Sequence, residues 1–160
     1  MKLTTVSLLL LAFTANAQNR AAIPYLWVPT DSVLVGLDAV KFRFMLSGQS
    51  SIDTTSVRTH VEMRLRRAGL RVDSLATPIL ELSCVTAGNA TVSAWNCAVR
   101  QRNVVDLYTP RRGIYLPIVW ETRPRVEAVG TPALSETFSK TIDTVIDEFL
   151  NAWLKANPRK

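Results

Sequence analysis

The stretch from Pro78 to Leu107 constrains the fold more than any other part of the chain. It contains two runs with the alternation of β-strands, one on each side of a Gly88-Asn89 turn signal. Cys84 lies in the first run and Cys97 in the second, and they are the only cysteines among the 160 residues. A disulfide between them ties a hairpin together and closes a loop of about a dozen residues, for a stabilisation of roughly 3 kcal/mol.

The register of this hairpin stays open at the level of the sequence. A two-residue turn formed by Gly88 and Asn89 pairs Cys84 with Ser93 and not with Cys97. A bulge or a longer turn must therefore intervene if the cysteines face each other. Zinc is the competing explanation, but a zinc site needs about four ligands. The chain offers two cysteines and one histidine, so we predict a disulfide and no metal.

The first 17 residues have the three parts of a secretion signal. Lys2 gives a basic start, an apolar run covers residues 6–13, and Ala15-Asn16-Ala17 matches the cleavage pattern. The apolar run is much shorter than the roughly 20 residues that span a bilayer. We therefore expect a periplasmic or secreted protein, cleaved after Ala17, with no transmembrane helix in the mature chain. No cysteine lies near the cleavage point, so a lipid anchor is not expected.

Removal of residues 1–17 leaves 143 residues, a length that suits one domain with its own core. Residues 18–32 predict an irregular leader, because Pro24 and Pro29 interrupt regular structure. Residues 33–157 predict a single α+β domain with the order strand, helix, short extended link, three strands and helix. Two helices are expected to pack on one face of a mostly antiparallel sheet of four or five strands, in two layers.

The helices have the clearest boundaries. Asp53 is placed to cap the first helix and Gly69 to end it. The second begins near Thr131-Pro132 and stops at Asn157-Pro158. The strand signals are weaker: Val33 to Leu46 alternates only after Gly36, and Pro117 marks the strand at 114–120 as interrupted or at an edge. After Pro124, the residues from Val126 to Val129 are predicted either to extend this strand or to return to the sheet as a further strand.

Positive charge is concentrated in the first helix and the strands. The formal net charge is +6, and eleven arginines face five acids between Arg58 and Arg125. The candidate partner-binding cations are Arg100, Arg102, Arg111, Arg112, Arg123 and Arg125. An acidic envelope protein, or an anionic lipid or polymer, fits such a surface, and export argues against nucleic acid. A basic surface without a partner is the alternative.

Two groups of aromatic residues have two interpretations each. Tyr25 and Trp27 in the leader either form a strap that binds a partner or pack along the domain's own edge. Trp95, Trp120 and Trp153 occupy apolar positions of two strands and the last helix. They either share one core or line a groove for a small apolar or amphipathic ligand.

Catalytic patterns are not found. His60 is the single histidine, and its neighbours at helical spacing are Val57 and Arg64, neither a nucleophile nor a carboxylate. No serine nucleophile motif or phosphate-binding loop is present, and carboxylates such as Asp143 and Asp147 on an exposed helix face are usually solvated. We expect a protein that is not an enzyme and binds no cofactor.

The layout resembles a class of small exported bacterial domains. With LRRAGLRV ending the first helix and FLNAWLKANP near the end of the chain, residues 33–157 are similar in plan to the outer-membrane lipopolysaccharide-assembly lipoproteins and related envelope modules. The missing lipobox cysteine departs from the lipoprotein members. The resemblance implies a protein-binding role in the envelope and no catalysis.

Overall fold

The computed structural model of the chain describes residues 32–48, 51–107 and 113–158. The proposed signal peptide (1–17), nearly all of the leader with Tyr25 and Trp27, and the arginines at 111 and 112 lie outside the described residues. The fold is α+β, with helices α1 (Thr54–Ala68) and α2 (Leu134–Ala156). The strands β1 to β8 are Ala39–Gly48, Arg71–Val72, Ile79–Gly88, Val92–Arg102, Val105–Leu107, Gly113–Tyr115, Ile118–Glu121 and Arg125–Gly130.

The main sheet is mixed and has six strands, in the order β2-β1-β3-β4-β7, with β8 also paired to β4. β1 is parallel to both β2 and β3, whereas β4 is antiparallel to β3, β7 and β8. The parallel part arises because α1 carries the chain back to the start of the sheet, so the next strand runs in the same direction as β1. The extended link expected after α1 is strand β2. β5 and β6 form a separate two-stranded sheet.

The hairpin of β3 and β4 has Cys84 directly opposite Cys97. A disulfide joins them, with their Cα atoms 4.2 Å apart. The turn lies two residues later than the Gly88-Asn89 signal, with the Asn89 N–H donating to the carbonyl of Val92. The Asn89 side chain accepts from the N–H groups of Thr91 and Val92 at 2.9 and 3.0 Å, which stabilises the turn in this position.

α1 begins and ends where the sequence predicts. The Asp53 carboxylate accepts from the Thr55 N–H at 2.9 Å and from the Ser56 hydroxyl at 2.6 Å. Gly69 has a φ of 98°, a left-handed conformation that glycine adopts without strain. The buried face of α1 contributes Val61 and Leu65 to the core, and both are fully buried.

The strands predicted at 33–46 and 114–129 differ in part from the observed strands. Ser32–Leu34 is a short 3-10 turn, and β1 starts only at Ala39, after Gly36 with a φ of 74°. The strand predicted at 114–120 is interrupted at Pro117, because β6 ends at Tyr115 and β7 starts at Ile118. β7 and β8 pair with different parts of β4 and are separated by residues 122–124. Val126 to Val129 belongs to β8.

α2 supplies the largest share of the core. Its buried face includes Phe138, Ile142, Val145, Phe149 and Trp153, and these pack on the face of the sheet that carries the disulfide. The Phe138 ring lies edge-on to Trp95 at 5.6 Å and the Phe149 ring edge-on to Trp120 at 5.4 Å. Among the described residues, no helix combines the length and apolarity needed to cross a membrane.

A buried polar contact fixes α2 on the sheet. The Trp95 Nε1–H donates to the Thr141 hydroxyl at 3.0 Å. That hydroxyl lies 2.9 Å from a carboxylate oxygen of Glu127 on β8 and 3.1 Å from the Thr137 carbonyl, either of which accepts its proton. Because Trp95 and Thr141 are both at most 2% exposed, neither group has water as a substitute partner.

Loss of the disulfide is expected to destabilise the domain. The Cys84→Ala, Cys97→Ala double variant should lose on the order of 3 kcal/mol of unfolding free energy, since the bond closes a loop with a sequence separation of 13. Urea denaturation of the variant, the oxidised protein and the reduced protein measures the loss. An oxidised protein no more stable than its reduced form would contradict the prediction.

Thr141→Val should destabilise the fold by about 1–3 kcal/mol, because it leaves the buried Trp95 N–H without an acceptor. Thr144→Val is the matched control, since its exposed hydroxyl donates only to the Lys140 carbonyl at 2.8 Å. The control should change stability by less than about 0.5 kcal/mol. Equal losses in the two variants, measured by urea denaturation, would exclude a special role for the buried contact.

Candidate functional site

One face of the main sheet packs on the helices, and the opposite face carries charged side chains. Arg43 on β1 lies opposite Glu81 on β3, Glu81 lies opposite Arg100 on β4, and Arg100 lies opposite Glu121 on β7. These four residues form a charged row across four strands, about 14 Å long at the usual strand spacing. Residues directly opposite each other share one face of a sheet, so all four project from the open face.

The charged row is held by ion pairs. The Arg100 Nε donates to the Glu121 carboxylate at 2.6 Å, and the Arg102 guanidinium donates to Glu81 at 3.2 Å. Arg102 also donates to the Leu116 carbonyl at 3.2 Å. Glu81 is only 8% exposed, and a buried carboxylate of this kind is costly without a cation beside it. Arg100 and Arg102 therefore neutralise acids of their own chain.

Glu81 was not singled out from the sequence, although a signal for it existed. It stands between Leu80 and Leu82, and strict alternation places it on the face opposite to these two leucines. The sequence does not reveal the strand register, which places Glu81 between Arg43 and Arg100. The alignment of the row depends on three separate strand pairings.

The described side chains of the open face carry an excess of positive charge. Lys41 and Arg43 on β1 join Arg100 and Arg102, against the two carboxylates of Glu81 and Glu121. Among the described residues, Lys41 and Arg43 take part in no ion pair, whereas both arginines of β4 do. The uncompensated positive charge thus lies on β1.

The other predicted arginines lie elsewhere. Arg125 is opposite Cys97 in the sheet register, so it lies on the side of the helices. Arg123 lies in the link between β7 and β8, where its backbone N–H donates to Glu148 at 3.1 Å. Of the candidate cations in the described residues, the structure brings together Arg100 and Arg102 but neither Arg123 nor Arg125. Their role in binding a partner stays a prediction.

An ionic cluster joins the two helices. The His60 Nε2 lies 2.7 Å from the Asp143 carboxylate, and the Arg64 guanidinium donates to both Asp143 and Asp147. At helical spacing His60 has no carboxylate neighbour on α1, and the packing of the helices provides one from α2. Burial alone raises the pKa of Asp143, but the hydrogen bond from His60 and the charge of Arg64 outweigh it and hold that pKa below its ordinary value of 3.8.

A cavity of about 510 Å³ opens between the first turns of α1 and α2. Polar groups from Ser56, His60, Ser135 and Ser139 share its lining with apolar side chains such as Ile142. The hydroxyl of Ser139 donates to the Ser135 carbonyl and that of Ser56 to Asp53. In the described ranges no serine hydroxyl contacts His60, and no group of three or more His, Cys, Asp or Glu side chains is arranged to hold a metal ion.

The three tryptophans proposed for a ligand groove do not line this cavity. Trp95, Trp120 and Trp153 are between 2% and 7% exposed. The rings of Trp95 and Trp120 pack against phenylalanines of α2, and the Trp153 Nε1–H donates to the Leu37 carbonyl at 2.7 Å. These contacts agree with the core interpretation of the three side chains, and a ligand near them stays a hypothesis.

Comparisons with known proteins give weak similarities. No protein-family model and no curated protein sequence matches the chain. A minor lipoprotein from Acinetobacter baumannii is 11% identical, with a TM-score of 0.32 over 75% of this chain and 93% of that one. Rare lipoprotein B from Shewanella oneidensis is 15% identical, with a TM-score of 0.23 over 74% and 88%. Both are lipoproteins, the class that the layout resembles, and at these TM-scores neither comparison carries an argument about function.

Asp143→Asn tests the ionic cluster through the pH dependence of stability. Because the folded-state pKa of Asp143 is lowered, its contribution is present above the ordinary carboxyl pKa and is lost as the pH falls through the folded-state value. The variant should be less stable than the parent by a few tenths to about 1 kcal/mol at pH about 7. The difference should shrink towards zero near pH 2.

Urea denaturation at both pH values measures this effect. Asp38→Asn is the matched control, because that carboxylate is 85% exposed and lies 3.8 Å from Arg71. The control should show almost no difference from the parent at either pH. A loss for Asp143→Asn that stays the same at acidic pH would mean that the carboxylate charge does not stabilise the helix pair.

Proposed function

We propose that this chain is an exported, non-enzymatic envelope protein that binds an acidic segment of another envelope protein at the open face of its sheet. The observation that carries the proposal is the excess of positive charge on that face. Lys41 and Arg43 take part in no ion pair in the described residues. Arg100 is paired with Glu121, and Arg102 is paired with Glu81. A regular sheet keeps these charges at defined spacings without further ordering on binding, which favours recognition.

Export is supported by the signal pattern of residues 1–17 and by the disulfide. The bond between Cys84 and Cys97 is of the kind that forms in oxidising compartments. An anionic lipid or polymer is the other partner that this charge fits.

A crosslinking experiment in cells tests the open face. A photoreactive residue at Met45 or Asn96, both exposed on this face, should give a defined protein adduct, identified by mass spectrometry as an acidic segment. The same residue at Thr144, exposed on α2, should not. Arg43→Gln should reduce the adduct severalfold, because it removes an unpaired cation of this face.

Arg67→Gln is the matched control for charge, since Arg67 is an exposed cation of α1. It changes the net charge by the same amount and should leave the adduct unchanged. Adducts of similar yield from Thr144 and Met45, or an equal loss in both arginine variants, would contradict binding at the open face.

A second candidate function is the carriage of a small amphipathic ligand. The observation that favours it is the cavity of about 510 Å³ between the helices, a volume within the range of small-molecule sites. A native mass spectrum of the protein purified from its exported fraction separates the two functions. Extra mass of a lipid or metabolite favours the carrier, and a bound acidic protein favours the interaction module. The same spectrum tests cleavage after Ala17.

A further inference from the structure

Among the described residues, the long strand β1 is paired along only part of one edge. β2 pairs only with Ala39 and Val40, and the last contact on that side is the Asp73 N–H donating to the Val40 carbonyl at 2.9 Å. On the other side, the Lys41 N–H donates to the Pro78 carbonyl at 2.8 Å, towards β3. Since backbone groups alternate between the two sides of a strand, those of Phe42, Phe44 and Leu46 point away from β3. In the described ranges no strand pairs with β1 there.

We propose that this edge of β1 accepts an extended, acidic segment of the partner protein as an additional strand. The inference rests on the proposed function and specifies how the partner docks. A strand added at a sheet edge gains main-chain hydrogen bonds, and its alternate side chains meet different faces. This stretch of the edge, Phe42 to Leu46, is five residues long, which is the common length of a strand.

The side chains along the edge define the chemistry of the partner. On the open face the edge presents Lys41, Arg43 and Met45, and Met45 is 54% exposed. On the side of the helices it presents Phe44 and Leu46, which are half-buried against the core. An incoming strand that alternates acidic and apolar residues places its acids beside Lys41 and Arg43 and its apolar side chains beside Phe44 and Leu46.

The charges also argue against a second copy of this chain as the occupant. Pairing of two β1 edges brings two copies of Lys41 and of Arg43 onto the same strip of the open face. Like charges on adjacent strands are destabilising. Charged side chains on an edge strand also prevent pairing with unintended partners. The competing explanation is therefore that Lys41 and Arg43 only prevent aggregation, and the experiment must distinguish this from partner binding.

Peptide binding to the full mature protein tests the inference. The probe is a fluorescent nonapeptide of alternating valine and glutamate, and the controls are a valine–lysine peptide of the same length and a valine–glutamate peptide with the acids grouped at one end. Fluorescence anisotropy at low salt should show binding of the alternating acidic peptide at least about tenfold tighter than either control. Added salt should weaken it. Arg43→Gln should weaken it about fivefold, and Arg67→Gln should not.

Amide hydrogen exchange locates the peptide. The amides of Phe44 and Leu46 should exchange more slowly when the acidic peptide is bound, whereas those of Arg43 and Met45, which face β3, should be protected already in the free protein. Binding that leaves the Phe44 and Leu46 amides unchanged overturns strand addition and assigns the peptide to the open face. If the alternating acidic peptide binds no more tightly than the valine–lysine control, the inference is overturned. The crosslinks from Met45 and Asn96 test the proposed function independently of this result.

Discussion

The direct pairing of Cys84 with Cys97 sets which side chains of the central hairpin reach each face of the sheet. In this register Leu82, Val99 and Trp95 point to the helices, and Glu81 and Arg100 point to the open face. A slip of one residue would exchange the two faces, because side chains alternate along a strand. The disulfide connects the same two residues that the backbone pairing aligns, so covalent and non-covalent constraints agree. The core and the charged row both depend on this register.

The two faces of the sheet differ in their chemistry. The helix-facing side is apolar apart from contacts such as Trp95 with Thr141 and Trp153 with the Leu37 carbonyl, which orient α2. The open side is charged, and Glu121 and Glu81 hold Arg100 and Arg102 of β4 in ion pairs. Both pairs are partly buried, and the pair with Arg102 offsets the cost of burying the Glu81 carboxylate. They keep the guanidinium groups of β4 in fixed positions and leave the unpaired cations of β1 at the edge.

The position of β1 explains why the proposed binding site lies at its edge. α1 returns the chain to form β2, and β2 is too short to cover more than the first two residues of its neighbour. The rest of the β1 edge carries Lys41 and Arg43, which take part in no ion pair within the described ranges, beside the half-buried Phe44. Main-chain donors, positive charge and apolar surface thus occur together in a short segment. This combination is what an extended acidic strand requires of its binding site.

By itself the sequence determined the two helices with their ends and the covalent link of the hairpin. The cap at Asp53, the left-handed Gly69, the apolar face of α2 and the disulfide between the only two cysteines all follow from local chemistry and composition. The α+β class also follows, because the order and period of the apolar pattern allow few alternatives.

The tertiary structure alone decided how distant segments align. The parallel pairing of β1, the charged row from Arg43 to Glu121 and the meeting of His60 with Asp143 join residues from different elements. No local pattern encodes these alignments, since each depends on strand register and on how the helices pack. The predicted arginine surface was divided for the same reason. Arg100 and Arg125 lie in neighbouring strands, but the register directs them to opposite faces.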